Sequence, residues 1–302
     1  MSTRTLRLVP GLLSLLIACA SHASEAGGGQ TSHGRCAGTL EAGARTPAPA
    51  DPYPLMAAGW GPEVGNGRMA SRWAEDWSGM KAEGHAPGLK SIPLGDAAAL
   101  TLGAEIRLRH ALSDNARLVR GNDFEQTQLR AIVGGDLRLS PHLRFYGELG
   151  TGQVDGRRDV ATPNLQNEVS LQQLFVDARG SVGDTLVGAM LGRQEFSDGP
   201  RQLISLSDGP NLHRSWNGVR LYVHGTRYRV GAFDLRATRL GRAAFDEKVN
   251  PAEKLQGLNA SFIVSRGEGP NTYLEPFWFH TENPALRLGG RSGLDDRDTF
   301  GA

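Results

Sequence analysis

Arginine supplies most of the chemistry this chain can offer. Of its 33 basic residues, four are lysines (Lys81, Lys90, Lys248, Lys254) and the rest are arginines. In several segments they recur at every second position together with acids. The sets are Glu105, Arg107 and Arg109; Arg130, Asp136 and Arg138; Arg144 and Glu148; Asp177 and Arg179; Arg220; and Asp234 with Arg236. A guanidinium is always charged, and its planar fork meets a carboxylate through two bonds at once. Dispersed along a wall, such groups bind an anion weakly and repeatedly, as passage requires. Arginines outnumber acids in this set, so the surface they share is modestly electropositive. The acids can pair with neighbouring arginines across strands and hold them in place. Taken singly, each of these residues has an ordinary alternative as solvated lining, where ion pairs contribute little.

Other chemistries find less support. The eight His residues are scattered without metal-ligand spacing. No Ser stands in the strand–turn–helix context that a hydrolase nucleophile needs. Gly27–Gly29 and Gly289–Gly290 do not follow a strand and open a helix, so a phosphate cradle is not indicated. Asp295–Asp296 reads as part of an Asp-rich loop, with calcium as a minor alternative. The two cysteines, Cys19 and Cys36, lie in the N-terminal part; if Cys19 is removed or acylated, Cys36 has no internal partner. The expectation is therefore no catalytic residue, no metal and no cofactor. Lys+Arg 33 against Asp+Glu 32 gives a net charge of +1, which argues against a nucleic-acid partner.

The elements that carry the arginines have a period of two. In Leu100–His110, Leu100, Leu102, Ala104, Ile106 and Leu108 fall on one face and Thr101, Glu105, Arg107 and Arg109 on the other. Leu129, Ala131, Val133, Leu137 and Leu139 oppose Gln128, Arg130, Asp136 and Arg138. Leu143, Phe145 and Leu149 oppose Arg144, Tyr146 and Glu148. Similar runs follow at about 168–180, 185–195, 216–226, 228–240, 255–265 and 271–281. In the run at 228–240, Phe233, Leu235 and Ala237 oppose Asp234 and Arg236, and the charged pair is expected to join the other arginines. Short turns such as Ser140–Pro141 alternate with long polar stretches at 113–123, 153–167 and 196–215. A soluble sandwich hides its apolar faces between two sheets. A membrane barrel turns them to lipid and lines a wet lumen with the charged ones. Long strands with alternating short and long connections favour an all-β transmembrane antiparallel barrel. No apolar run reaches the roughly 18–20 residues of a membrane-spanning helix.

Ahead of the strands the chain divides further. Arg4 and Arg7, the apolar run Leu8–Ala18 and the small residues to Ala23 read as a signal peptide over residues 1–23. Leu16-Ile17-Ala18-Cys19 also fits a lipoprotein signal acylated at Cys19. Residues 24–52, rich in Gly, Ala, Ser, Thr and Pro, read as a disordered linker. Residues 53–98 hold Trp60, Trp73 and Trp77 and read as a periplasmic preamble or plug, with Arg68–Trp77 able to form about two helical turns. Residues 99–302 are the barrel.

The order and spacing of several stretches resemble the alginate export family of outer-membrane β-barrels in Gram-negative bacteria. They are Glu75-Asp76-Trp77, Leu89–Leu94, Leu102–Arg109, Leu171–Asp177, Leu191–Gln194 with Gly199–Arg201, Trp216–Arg220 and Asp296–Gly301. The resemblance implies an outer-membrane location and passive passage of an anionic polysaccharide such as alginate, with one carboxylate per sugar, through an Arg-lined lumen. It implies outer-membrane lipid and periplasmic secretion components as partners. It also marks Gly192-Arg193-Gln194 as a recurrent pore site, although parity puts Arg193 with Val187, Ala189 and Leu191; either a bulge re-aims it or it sits at the rim. The family's eighteen-strand barrel needs on the order of 400 residues, and about 200 follow Leu100. The chain is therefore expected to hold only about the N-terminal half of such a barrel. The alternatives are a general porin passing small anionic solutes, and a secreted carbohydrate-active β-protein such as a lyase.

Overall fold

The computed structural model describes residues 65–66, 71–77, 84, 88–156, 162–197, 203–225, 227–265, 272–288 and 291–302. The expected signal peptide, Cys19 and the linker lie outside the described residues. Two short strands, β1 (Gly65–Asn66) and β2 (Glu75–Asp76), pair in parallel. The remaining strands are β3 (Ile92–Leu94), β4 (Ala98–Ser113), β5 (Phe124–Ser140), β6 (Leu143–Asp155), β7 (Asn167–Val182), β8 (Thr185–Glu195), β9 (Ser215–His224), β10 (Tyr228–Arg239), β11 (Lys248–Ser265), β12 (Thr272–Leu274), β13 (Phe277–Leu288) and β14 (Arg291–Gly301). They form one 12-stranded antiparallel meander with β3 and β14 at its edges, β12 pairing beside β13 on β11. The fold is all-β, and the sheet has the character of a barrel wall that is not closed on itself. Among the described residues no helix is long and apolar enough to cross a membrane.

Strand length follows from the alternation. β4, β5 and β7 run for 16, 17 and 16 residues, more than the roughly 9–11 that a tilted strand needs to cross a bilayer. Tight turns join β5 to β6, β7 to β8 and β9 to β10 at one end of the wall. The long connections after β4, β6, β8 and β10 lie at the other. One face is bare and apolar: Ile106, Leu108, Leu191 and Leu174 are 63%, 71%, 64% and 54% exposed.

The opposite face is covered by two insertions, the segment 71–77 and the connection between β8 and β9. Trp73 has no accessible surface at all, which a flat sheet cannot achieve. It packs with Tyr146, Phe175, Met190 and Tyr222 from four successive strands, so the wall curls around it. Phe175 meets the Trp73 ring edge-on at 6.1 Å and stacks on Tyr146 at 5.3 Å. A second cluster joins Phe196 and Ile204 of the β8–β9 connection to Trp216, Phe233, Leu235, Leu255 and Phe279. It anchors that connection on β9–β13.

Four expectations change. Arg68–Trp77 does not form two helical turns; among the described residues it holds a single 3-10 turn, Arg72–Ala74. Its carbonyls face the wall instead: Arg144 Nη2 donates to Trp73 O, and Arg138 Nη2 donates to Glu75 O at 3.0 Å. Residues 291–301, including Asp295 and Asp296, are not a loop but strand β14, paired with β13. Acids on both faces hide its period. The run at 271–281 is broken at Pro276, which has no N–H for the ladder; its carbonyl accepts from Ala260 N at 2.9 Å. The fourth concerns β10, whose faces are reversed. Phe233 pairs with Arg220 in register, so Phe233, Leu235 and Ala237 face the covered side and Asp234 and Arg236 the bare one.

Candidate functional site

Alternation puts Glu105, Arg107 and Arg109 of β4 on the covered face beside Arg130 of β5. Arg107 stands directly opposite Arg130, a like-charge pair that Glu105 of β4 offsets only from the Arg130 side. The β8–β9 connection resolves it. Asp208 Oδ1 accepts from Arg107 Nη1 at 3.0 Å and from Arg130 Nη1 at 2.7 Å. Arg107 Nη2 also donates to Pro210 O at 2.6 Å, and Arg109 Nη1 to Gly209 O at 3.1 Å. The arginines of β4 thus hold the backbone of residues 208–210 as well as its acid.

From Arg130 the contacts run on until they close into a ring. Arg130 Nε donates to Glu105 Oε1 at 2.7 Å. Glu105 also pairs with Arg72 of the segment 71–77. Arg72 Nε and Nη2 reach Glu148 Oε2 at 3.1 and 3.0 Å. Tyr146 donates its hydroxyl to the same oxygen at 2.8 Å, and Gln173 Nε2 donates to Glu148 Oε1 at 3.3 Å. Gln173 Oε1 accepts from the Glu195 N–H at 3.2 Å, and Glu195 Oε1 lies 2.5 Å from His213 Nδ1. His213 Nε2 lies 2.7 Å from Asp208 Oδ1, which returns to Arg130. Glu148, Glu195 and His213 are buried, so these pairs sit in low dielectric, where each charge depends on its partner.

The protonation states outside the strands agree with this arrangement. Burial opposes a charge on His213, but the Glu195 carboxylate and the Asp208 hydrogen bond outweigh it and push its pKa up to about 9. The hydrogen bond from His213, then that from Arg130, hold the Asp208 carboxyl well below the usual carboxylate range. Arg130 Nη1 lies 3.0 Å from His213 Nε2; Asp208 between them offsets two adjacent cations. Burial also disfavours the Arg72 cation, yet Glu148 and Glu105 raise its affinity for the proton above the usual value.

A second group fixes the segment 71–77 near the tight-turn end. Arg144 Nε donates to Asp136 Oδ1 at 2.6 Å, and Arg138 joins Asp136 at 3.1 Å to Asp76 at 2.7 Å. Trp77 Nε1 and Lys90 Nζ both reach Glu75 Oε2, at 2.7 and 3.1 Å.

Of the residues expected from sequence, Glu105, Arg107, Arg109, Arg130 and Glu148 come together at the ring and around Asp208, with Arg144 in the second group. Asp177 and Arg220 share the face but stand apart. Asp177 accepts from the Tyr222 hydroxyl at 2.7 Å, and the Arg220 guanidinium lies 4.8 Å from the Phe196 ring and 5.8 Å from that of Trp73. Arg193 stays on its own parity: the β8 registers with both neighbours are unbroken, so no bulge turns it. It donates to Asn217 Oδ1 at 3.0 Å and Leu171 O at 2.8 Å, and meets Glu247 of the β10–β11 connection at 3.1 Å. Arg236 is not on the wall's covered face; it pairs with Asp234 on the bare one, three residues before the end of β10.

Sequence reasoning missed Arg72, Gln173, Glu195, Asp208 and His213. Asp208 and His213 lie in a connection without periodicity, and Arg72 had as its only signal the tryptophans beside it. Among the described residues no group of three or more His, Cys, Asp or Glu is placed to hold a metal ion.

A family model described as alginate export matches residues 98–275, more than half of the chain, from the start of β4 to just past β12. No curated protein and no solved structure matches.

Proposed function

The chain belongs to the alginate export family, and from that premise we propose that it forms wall of an outer-membrane channel for passive passage of an anionic polysaccharide such as alginate. The observation that carries this reading is the holding of Asp208 and the carbonyls of residues 208–210 by Arg107, Arg109 and Arg130. Those three guanidinium groups are arranged for a carboxylate and neighbouring oxygens. A uronate chain presents the same groups, repeated at each sugar.

Passage requires the 203–214 stretch to leave the wall. Its departure removes the acceptors it supplies to Arg107, Arg109 and Nη1 of Arg130 and leaves those donors to the polymer. Glu105 remains beside Arg130 and keeps the attraction moderate, so that each carboxylate can be released to the next site. The lumen lining is thus charged but balanced. The bare face suits lipid: large aliphatic side chains exposed to the extent of Leu108 and Leu191 are unfavourable in water over a whole sheet. That argues against the reading as a secreted carbohydrate-active protein. The long-connection end faces outward, following the usual disposition of such barrels. Periplasmic secretion components would approach the opposite end, where the segment 71–77 enters.

The test is single-channel recording in a planar bilayer with a uronate oligomer added to one side. Anion-selective current that the oligomer blocks supports the proposal. Current unaffected by the oligomer leaves a general small-solute porin instead.

A further inference from the structure

The bare face is not uniformly apolar. Residues paired directly across the ladder carry one line along it from β4 to β14. On β4–β7 that line is Leu102, Gly135, Gly147 and Leu174. From β8 onward it is polar. Arg193 and Asn217 come first, and Arg193 is covered by Glu247. Arg236 of β10, Lys254 of β11, Glu282 of β13 and Asp296 of β14 follow in register. In strand order these four are two cations and then two anions.

Their surroundings differ from those of a solvated rim. Leu258 of β11 and Phe300 of β14 are exposed on the tight-turn side of the line, and Val249 of β11 and Leu294 of β14 on its other side. The charges therefore form an island within an apolar face, where lipid tails cannot solvate them. Pairs within the chain offset them in part: Lys254 Nζ meets Glu282 Oε2 at 2.6 Å, and Arg236 pairs with Asp234. Along the line, however, Arg236 stands directly opposite Lys254, and Glu282 directly opposite Asp296. Like charges in that relation repel, and a sheet this regular leaves both repulsions in place unless something else covers the line.

We propose that a second copy of this chain covers it, bare face to bare face. Two copies the same way up in one membrane are related by a two-fold axis along the membrane normal, and the same patch then serves both. With the axis between β11 and β13, β11 of one copy meets β13 of the other, and β10 meets β14. The order of charges reverses across the axis. Lys254 meets Glu282 of the partner subunit, and Arg236 meets the acidic side formed by Asp296 of the partner subunit. Each like-charge pair thus gains opposite charges facing it, and Leu258, Val249, Leu294 and Phe300 supply the apolar margin. Another protein or a lipid headgroup could supply charge too, but the reversal of two cations and two anions is what self-pairing requires. The inference rests on reading the bare face as the membrane side of the wall.

The experiment uses the full chain in detergent micelles, with its mass read by sedimentation equilibrium over a range of concentrations. The parent is expected to form a dimer that dissociates on dilution. Arg236→Glu with Lys254→Glu makes the line wholly acidic, and Glu282→Lys with Asp296→Lys makes it wholly basic. Each double variant alone is expected to remain a monomer. An equimolar mixture of the two is expected to form a dimer again, which a merely structural role for these residues does not explain. Lys254→Gln, the mildest change, weakens association severalfold. A monomeric parent overturns the proposal and leaves lipid headgroups to meet the charges. A dimer that no variant weakens, or double variants that stay apart on mixing, overturns it as well. Current in planar bilayers keeps the two readings apart: a monomeric parent that conducts leaves the channel reading standing, whereas a silent parent counts against that reading whatever its mass.

Discussion

Arg107 and Arg130 stand opposite each other in the β4–β5 ladder, and the carboxylate that reconciles them belongs to neither strand. Asp208 reaches them from a connection about a hundred residues downstream of Arg107. The wall is therefore left with adjacent like charges whenever that connection is away.

Asp208→Asn removes the bridging charge and leaves the hydrogen-bonding shape nearly intact. We expect larger and more frequent openings in bilayer recordings, with a rise in anion preference. The midpoint of urea unfolding should fall as well, because Arg130 and His213, both buried, lose the carboxylate between them. A variant that conducts like the parent would show that Asp208 does not hold the 203–214 stretch.

Alkaline pH acts on the same contact. His213 has a folded-state pKa of about 9 against roughly 6.5 for a free imidazole. Its stabilising contribution is complete below the unfolded value and is lost as pH rises through about 9. The groups facing it are Glu195, Asp208 and Arg130. Conductance measured from pH 6 to 10 should climb with a midpoint near 9, and His213→Gln should remove the step. A flat profile in the parent protein would count against the closure described above.

Arg72→Gln withdraws the cation that Glu148 and Glu105 share. Glu148 is buried, and breaking one side of a buried pair costs about 3–5 kcal/mol. The midpoint of urea unfolding should fall accordingly, and limited proteolysis should cut near residues 71–77 sooner. If neither changes, Arg72 does not hold this segment to the wall.

Selectivity is addressed by Arg107→Glu combined with Arg109→Glu. Reversal potentials in a salt gradient should show a severalfold loss of anion over cation preference. Arg236→Glu is the control, since Arg236 lies on the bare face beside Asp234, and it should leave the ratio alone. Equal effects of the two changes would contradict the assignment of faces.

Much of the wall was legible from period alone. The alternation at Leu100–Arg109 and at Gln128–Arg138 places the same side chains on the same faces that the ladder shows. Period separates two faces but does not say which is inside. In β10 the aromatic side faces inward because Phe196 and Ile204 arrive to cover it, and nothing within 228–240 announces them. Asp208 and His213 escaped for a related reason: their positions follow from long-range packing of an aperiodic stretch. Arg193 was placed on its side by parity, and the partner that covers it, Glu247, comes from another connection. At Arg72 the helical bonding stops after one turn: the Trp73 carbonyl bonds to Arg144, and that of Glu75, just past the turn, to Arg138.

Glu105 is held on one side by Arg72 and on the other by Arg130. Because one segment enters at the tight-turn end and the other at the long-connection end, this carboxylate couples two coverings of the same wall. Loosening either strengthens the demand on the remaining partner, so the two segments are linked by thermodynamic reciprocity. On the channel reading proposed above, a component engaging the segment 71–77 would thereby change how readily the 203–214 stretch leaves the wall, without touching that stretch.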